Sequence, residues 1–171
     1  MTAPLTADDQ LSIRDCIARY AWALDTGDVD GFVACFASDG ELVWDSFEED
    51  LRWAGSAALR HFADFFRSLP SSAGRQHHVS NIVIEASEGG ARARSYAAVA
   101  VRQGDGPHVL HMMGWYEDEL RLERGRWCLA RRVIRDWSGP VLAGIAGQSG
   151  AKEPRPLPEP LRAALPRKGQ E

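Results

Sequence analysis

Hydrophobic residues in the first 70 positions of this chain recur at the spacing of amphipathic helices. A first helix is predicted to begin after Thr6, a favourable N-cap residue, and to end at Gly27, a favourable C-terminal stop. Its apolar stripe consists of Ile13, Cys16, Ile17, Tyr20, Ala21 and Leu24. A short second helix is predicted from the stripe Val29, Phe32, Val33 and Phe36. The third helix, in "GSAALRHFADFFRSLP", is expected to be capped by Ser56 and ended by Pro70.

From residue 77 onward, apolar and polar residues alternate with the period of β-strands. Four strands are predicted, at His77–Ala86, Ala91–Gln103, His108–Glu123 and Arg126–Trp137. The segments between them, "SEGG", "GDGP" and "RG", have the composition of hairpin turns. "ASDG" predicts an earlier turn, and the alternating run Glu41–Phe47 predicts one further strand. Three helices followed by an antiparallel meander predict an α+β domain, with helices laid over a strongly curved sheet and a pocket between them.

Composition divides the chain into a domain over residues 1–146 and a tail over residues 147–171. The tail contains five of the nine prolines, which predicts a flexible or polyproline-like segment. Within it, "PEPLRAALP" could form one helical turn that docks on a partner chain. A chain of 171 residues is long enough to bury one substantial core.

Charge and cysteine content exclude several classes of function. The formal net charge of -4 argues against a nucleic-acid partner, because phosphate binding requires a clustered positive surface. No apolar run approaches the ~18 residues of a membrane span, and "MTAPLTADDQ" lacks the features of a signal peptide, so a cytoplasmic protein is expected. Cys16, Cys35 and Cys128 form no cluster with metal-ligand spacing, which predicts reduced core residues and no bound metal.

The segment "RQHHVSNIVIE" places two adjacent histidines, His77 and His78, at the start of a predicted strand. Successive side chains of a strand point to opposite faces, so only one of the two can face inward. Both sets of alternate neighbours mix polar and apolar residues, so the pattern alone leaves the choice open.

Three segments, in this order, resemble the nuclear transport factor 2-like superfamily: "CIARYAWALDTGDVDGFVACFASDGEL", "RQHHVSN" and "GWYEDELRLERGRWCLARRVI". The chain is most similar to its SnoaL-like branch, which includes polyketide cyclases, scytalone dehydratase, bile acid dehydratase and hexachlorocyclohexane dehydrochlorinase. The resemblance covers roughly residues 8 to 140. It implies a cone-shaped α+β barrel that assembles as a homodimer or homotrimer.

The resemblance also implies roles for individual residues. In the dehydratases and dehydrochlorinases of this branch, a histidine held by an aspartate removes a proton beside an electron-withdrawing group. His77 matches that base and Asp25 the aspartate that orients it. Tyr20 matches a tyrosine of the bile acid dehydratase, and Arg132 matches an arginine that the dehydrochlorinase uses against the leaving group. A lysine of the dehydrochlorinase and a second acid of the bile acid dehydratase are missing, so no single member's substrate can be transferred.

General chemistry supports the same arrangement. Neutral imidazole, with an ordinary pKa near ~6.5, accepts a proton at working pH. A carboxylate bound to the other ring nitrogen fixes the tautomer and stabilises the imidazolium as it forms. A phenol or guanidinium can polarise a carbonyl or assist the departure of hydroxide or halide. This reaction requires no metal or other cofactor.

Each candidate residue also has a purely structural interpretation. Asp25 could end its helix in water, His77 could be a hydrogen-bonded residue at the rim, and Tyr20 could be a core tyrosine. Arg132 lies in an otherwise apolar register, where an unpaired charge is rarely found. A pocket, or a carboxylate partner such as Asp25, is implied for Arg132.

Further residues are candidates for contact with the substrate. Scytalone dehydratase has a second histidine on a later strand, which makes His111 a candidate acid or orienting group. The remaining candidates are Trp44, Trp115, Phe62, Phe66 and Met113. Core packing explains the aromatic residues almost as well.

These observations predict a cofactor-independent dehydratase or isomerase that acts on a small apolar cyclic molecule, such as a polyketide, steroid or terpenoid. A cyclase that performs an intramolecular aldol step would use the same pair of residues. A non-catalytic ligand-binding or dimerisation module, like the β subunits of ring-hydroxylating dioxygenases, is the alternative from another class. That alternative is favoured if Asp25 and His77 are far apart or face solvent.

Overall fold

The computed structural model describes residues 4–70, 73–102, 104–136 and 156–165. Over these residues, helices pack on one six-stranded sheet, which confirms the predicted α+β class. The helices are α1 (Ala7–Thr26), α2 (Val29–Ala34), α3 (Gly55–Ser68) and α4 (Glu159–Arg162). The strands are β1 (Phe36–Trp44), β2 (Leu51–Ala54), β3 (Gln76–Ser87), β4 (Gly90–Arg102), β5 (His108–Glu123) and β6 (Arg126–Asp136). None of the helices described here is long and apolar enough to cross a membrane.

The sheet has the strand order β2-β1-β6-β5-β4-β3. Neighbouring strands are antiparallel, except that β1 and β6 run parallel. The two edge strands, β2 and β3, do not pair, so the sheet is curved but not closed, and the expected barrel is an open sheet. Helix α1 packs against β3 and α3 against β1, so helices rather than strand pairing cover the concave side.

Local sequence signals explain the ends of α1 and the β5–β6 hairpin. The Thr6 hydroxyl accepts a hydrogen bond from the Asp9 N–H, and the Asp9 carboxylate accepts one from the Thr6 N–H, which forms a capping box. At the other end, Gly27 adopts the left-handed conformation with φ of 73°. Arg124 and Gly125 also have positive φ, as a two-residue hairpin turn requires.

Two local predictions are wrong, and strand β2 was not predicted. Ser56 does not cap α3, because β2 leads directly into the helix and Ala54 occupies the N-cap position without a side-chain hydrogen bond. The four residues of β2 are too few to give a recognisable alternation. "ASDG" lies inside β1 rather than in a turn, because pairing with β6 extends the strand through an irregularity between Phe36 and Glu41.

The described part of the C-terminal segment packs against this chain. Residues 156–165 include the helical turn α4, and Leu161 and Ala164 are buried in the core. The Trp53 indole N–H donates to the Ala164 carbonyl at 2.5 Å, and His61 Nε2 lies 3.1 Å from the Ala163 carbonyl. The sequence predicts a flexible tail, but in this part of it apolar side chains are buried against the domain. The rest of the tail lies outside the described residues.

Candidate active site

A cavity of about 440 Å³ lies between α1, α3, the concave side of the sheet and the C-terminal segment. Most of its wall is apolar or aromatic, with Leu24, Phe47, Leu69, Val99, Val101, Met112, Ile134, Pro158 and Leu161 among the lining residues. Its polar side chains are Tyr20, Arg75, His77, His111, Tyr116 and Asp136. A largely apolar cavity with a few polar groups is the usual form of a small-molecule site.

Asp25 and His77 are joined by two hydrogen bonds beside this cavity. The ring nitrogen Nδ1 of His77 lies 2.5 Å from Asp25 Oδ1, and the backbone N–H of His77 donates to Asp25 Oδ2 at 2.7 Å. Only 10 % of the His77 side chain and 14 % of the Asp25 side chain are exposed. Because a carboxylate only accepts, the neutral ring carries its proton on Nδ1 and keeps Nε2 as its basic nitrogen.

The fold brings these two residues together from positions 52 apart in the chain. Asp25 lies in the last turn of α1, which Gly27 ends two residues later. His77 is the second residue of β3, and α1 packs along this strand. His77 lines the cavity, whereas His78 is exposed on the opposite face. The structure therefore places the histidine that the family resemblance selects on the inward side.

Tyr20 is fully buried and also lines the cavity. Its ring packs against Phe32, Phe36 and Tyr116. The hydroxyl has no hydrogen-bond partner among the described residues. Burial raises the pKa of Tyr20 to about 12, so the phenol keeps its proton at neutral pH. Tyr20 is thus a core residue that also forms part of the cavity wall, and its hydroxyl is buried in this structure.

Arg132 is paired with Asp118 and not with Asp25, which corrects the expectation for its partner. The guanidinium donates to both carboxylate oxygens of Asp118 at 2.7 Å, and both side chains are fully buried. The Tyr20 and Tyr116 rings lie 4.1 and 4.4 Å from its central carbon. Burial would lower the pKa of Arg132, but the adjacent carboxylate more than offsets this and raises it. Arg132 is not among the cavity-lining residues.

Most of the proposed substrate-contacting residues do line the cavity. These are Trp44, Phe62, Phe66, His111 and Met113. Trp115 does not: its indole N–H donates to Glu117 at 3.3 Å. The reason is a β-bulge at His111, which shifts the alternation by one residue, so Met112 and Tyr116 continue the inward set and Trp115 faces outward.

Sequence reasoning missed three residues of this region. Arg75 lines the cavity beside Asp25, but it precedes β3 in a loop where no periodicity marks it. Tyr116 was not identified, because the bulge at His111 exchanges the two faces of β5. Asp118 lies two residues beyond Tyr116 and two before Leu120, so a carboxylate in phase with apolar residues was the available signal.

Solved structures similar to this chain share its fold. A protein of unknown function with a cystatin-like fold from Nostoc punctiforme is 29 % identical, with a TM-score of 0.68, over 82 % of this chain and 99 % of that chain. A nuclear transport factor 2-like protein from Novosphingobium aromaticivorans is 25 % identical, with a TM-score of 0.69, over 81 % and 88 %. A putative scytalone dehydratase from the same organism is 26 % identical, with a TM-score of 0.63, over 77 % and 88 %.

Comparison of the sequence with protein families and with curated proteins gives the following results. No curated protein matches it at a significant level. The SnoaL-like domain family matches residues 6–133, a span that runs from the N-cap of α1 into β6 and contains Tyr20, Asp25, His77 and Arg132. Because this match covers most of the sequence, the chain belongs to the SnoaL-like domain family.

Proposed function

We propose that this protein is a cofactor-independent lyase of the dehydratase type. The observation that carries the proposal is the hydrogen bond between Asp25 and His77, a histidine that lines a largely apolar cavity. Such a pair is suited to removing a proton from carbon. The similarity to a structure described as a putative scytalone dehydratase supports the same class of reaction.

In the proposed reaction, His77 Nε2 removes a proton from the carbon next to a carbonyl group. Asp25 holds the Nδ1–H and stabilises the imidazolium that forms. The Tyr20 hydroxyl, which has no partner among the described residues, donates to the carbonyl oxygen and stabilises the enolate. The enolate then expels the β-hydroxyl, which takes the proton from His77 and leaves as water, and a carbon–carbon double bond remains.

The cavity supports an apolar cyclic substrate. Its volume of about 440 Å³ is in the range of small-molecule sites, and its aromatic lining includes Trp44, Phe62 and Phe66. Flat rings stack favourably on such side chains. Polyketide-, steroid- or terpenoid-derived ring systems with an oxygen function near the reacting carbon are therefore the proposed substrate class.

A bicyclic β-hydroxy ketone tests this proposal. 3-Hydroxy-1-tetralone loses one molecule of water to give 1-naphthol, whose appearance is followed by fluorescence. We expect the protein to accelerate this conversion, and 1-tetralone, which has no hydroxyl to lose, to inhibit it. Binding of both compounds without any naphthol formation would contradict the dehydratase proposal and would favour the ligand-binding alternative.

A further inference from the structure

Arg75 immediately precedes β3, and only 5 % of its side chain is exposed. Its guanidinium donates to the Leu24 carbonyl at 2.6 Å and to the Phe66 carbonyl at 3.3 Å. These carbonyls belong to the last turns of α1 and α3, where the helix dipoles place partial negative charge. A buried cation thus joins two helix ends in the wall of the cavity.

The same guanidinium faces the dyad formed by Asp25 and His77. Arg75 Nε lies 3.7 Å from Asp25 Oδ1, the oxygen that accepts the hydrogen bond from His77 Nδ1. No described residue accepts a hydrogen bond from this Nε. Burial lowers the pKa of Arg75 and the Asp25 carboxylate opposes this, so the guanidinium remains charged at neutral pH.

A carboxylate beside a histidine favours the charged ring, which no longer accepts a proton. A general base at neutral pH needs a carboxylate to orient its ring. That carboxylate must not fully stabilise the charged ring, because the charged ring cannot accept a proton. We propose that Arg75 is a positioning residue for the dyad: its positive charge offsets the effect of the Asp25 carboxylate on the His77 ring, while Asp25 still fixes the tautomer of that ring. This inference rests on the proposed function for its catalytic meaning.

Most of the other described titratable groups around the cavity are neutral, paired or acidic, so they do not supply this balance. Tyr20 from α1 and Tyr116 from β5 both have a pKa raised by burial and are neutral. Arg132 and Asp118 neutralise each other behind the tyrosine rings. On α3, Arg67 pairs with Asp64 at the surface. His111 and Asp136, on β5 and β6, also line the cavity.

The test is the proton titration of the His77 ring, followed by NMR and assigned with the His77→Gln variant. Arg75→Gln removes the charge but keeps a donor near the two helix ends. We expect the titration midpoint to move upward by about one pH unit, a tenfold change in protonation, in Arg75→Gln. Arg75→Lys keeps a positive charge and is expected to leave the midpoint within a few tenths of a unit. Arg75→Met serves as a second neutral variant if Arg75→Gln does not fold.

The outcomes separate this inference from the proposed function, because the ring titration requires no turnover. An unchanged midpoint in a folded neutral variant would overturn the role of Arg75. A shifted midpoint in a protein that converts no β-hydroxy ketone would uphold the charge balance and reject the dehydratase. Where turnover is found, the acidic limb of the pH–rate profile is expected to move in the same direction, so that higher pH restores activity to Arg75→Gln. If Arg75 had only a structural role, the activity lost in Arg75→Gln would not return at higher pH.

Discussion

Replacement of His77 by alanine or glutamine is expected to lower turnover of the β-hydroxy ketone at least a hundredfold, the usual minimum for general base catalysis. Glutamine has an amide of similar reach in place of the imidazole and has no basic nitrogen. His77 is one of the two partners in the dyad and lines the cavity, so its loss removes the proposed proton acceptor. Initial rates of naphthol formation measure the effect, and circular dichroism establishes that the variants are folded.

The adjacent histidine provides a matched control. His78 is exposed on the other face of β3, so His78→Gln is expected to keep near-wild-type turnover. Equal rates for wild type and His77→Gln would refute the assignment of the base. An equal loss in both histidine variants would instead indicate damage to β3.

Replacement of Arg132 by methionine is expected to lower the free energy of unfolding by about 3–5 kcal/mol. The change leaves the Asp118 carboxylate fully buried without its two hydrogen bonds from the guanidinium. It also removes the cation packed between two tyrosine rings. Urea denaturation measures the loss, and Asp118→Asn is expected to be destabilising for the same reason.

Two further variants test the reason for this effect. Arg131 pairs with Glu41 on the outer face, with 36 % of its side chain exposed, so Arg131→Met is expected to cost about 1 kcal/mol or less. The double variant Arg132→Met/Asp118→Leu removes both buried charges and is expected to recover most of the stability lost in Arg132→Met. Additive losses in the double variant would show that the ion pair is not the source of the effect.

The elements with strong local signals were predictable from sequence. Helix α1 has a capping residue, an apolar stripe and a terminal glycine, and the β5–β6 turn has a glycine at its second position. Each of these features depends only on residues close together in the sequence, so the helix ends and the turn can be predicted from the local sequence. Strand β2 has four residues and no such signal, and only its pairing with β1 defines it.

The site was predictable only in part, because its contacts are long-range. Asp25 and His77 are 52 residues apart, and the family resemblance, not the alternation, selected His77 over His78. The bulge at His111 reversed the expected direction of Trp115, since one extra residue exchanges the two faces of a strand. The pairing of Arg132 with Asp118 depends on the register of β5 against β6, and no local sequence pattern specifies this register.

The proposed function depends most on proton removal from carbon by His77 inside the cavity. Deuterium exchange measures this step directly: 1-tetralone is incubated with the protein in D2O, and NMR follows the loss of the protons on the carbon next to its carbonyl. We expect the wild-type protein to accelerate this exchange, and His77→Gln to return it to the rate without protein. Exchange that the wild-type protein does not accelerate, or that both proteins accelerate equally, would contradict the proposed function.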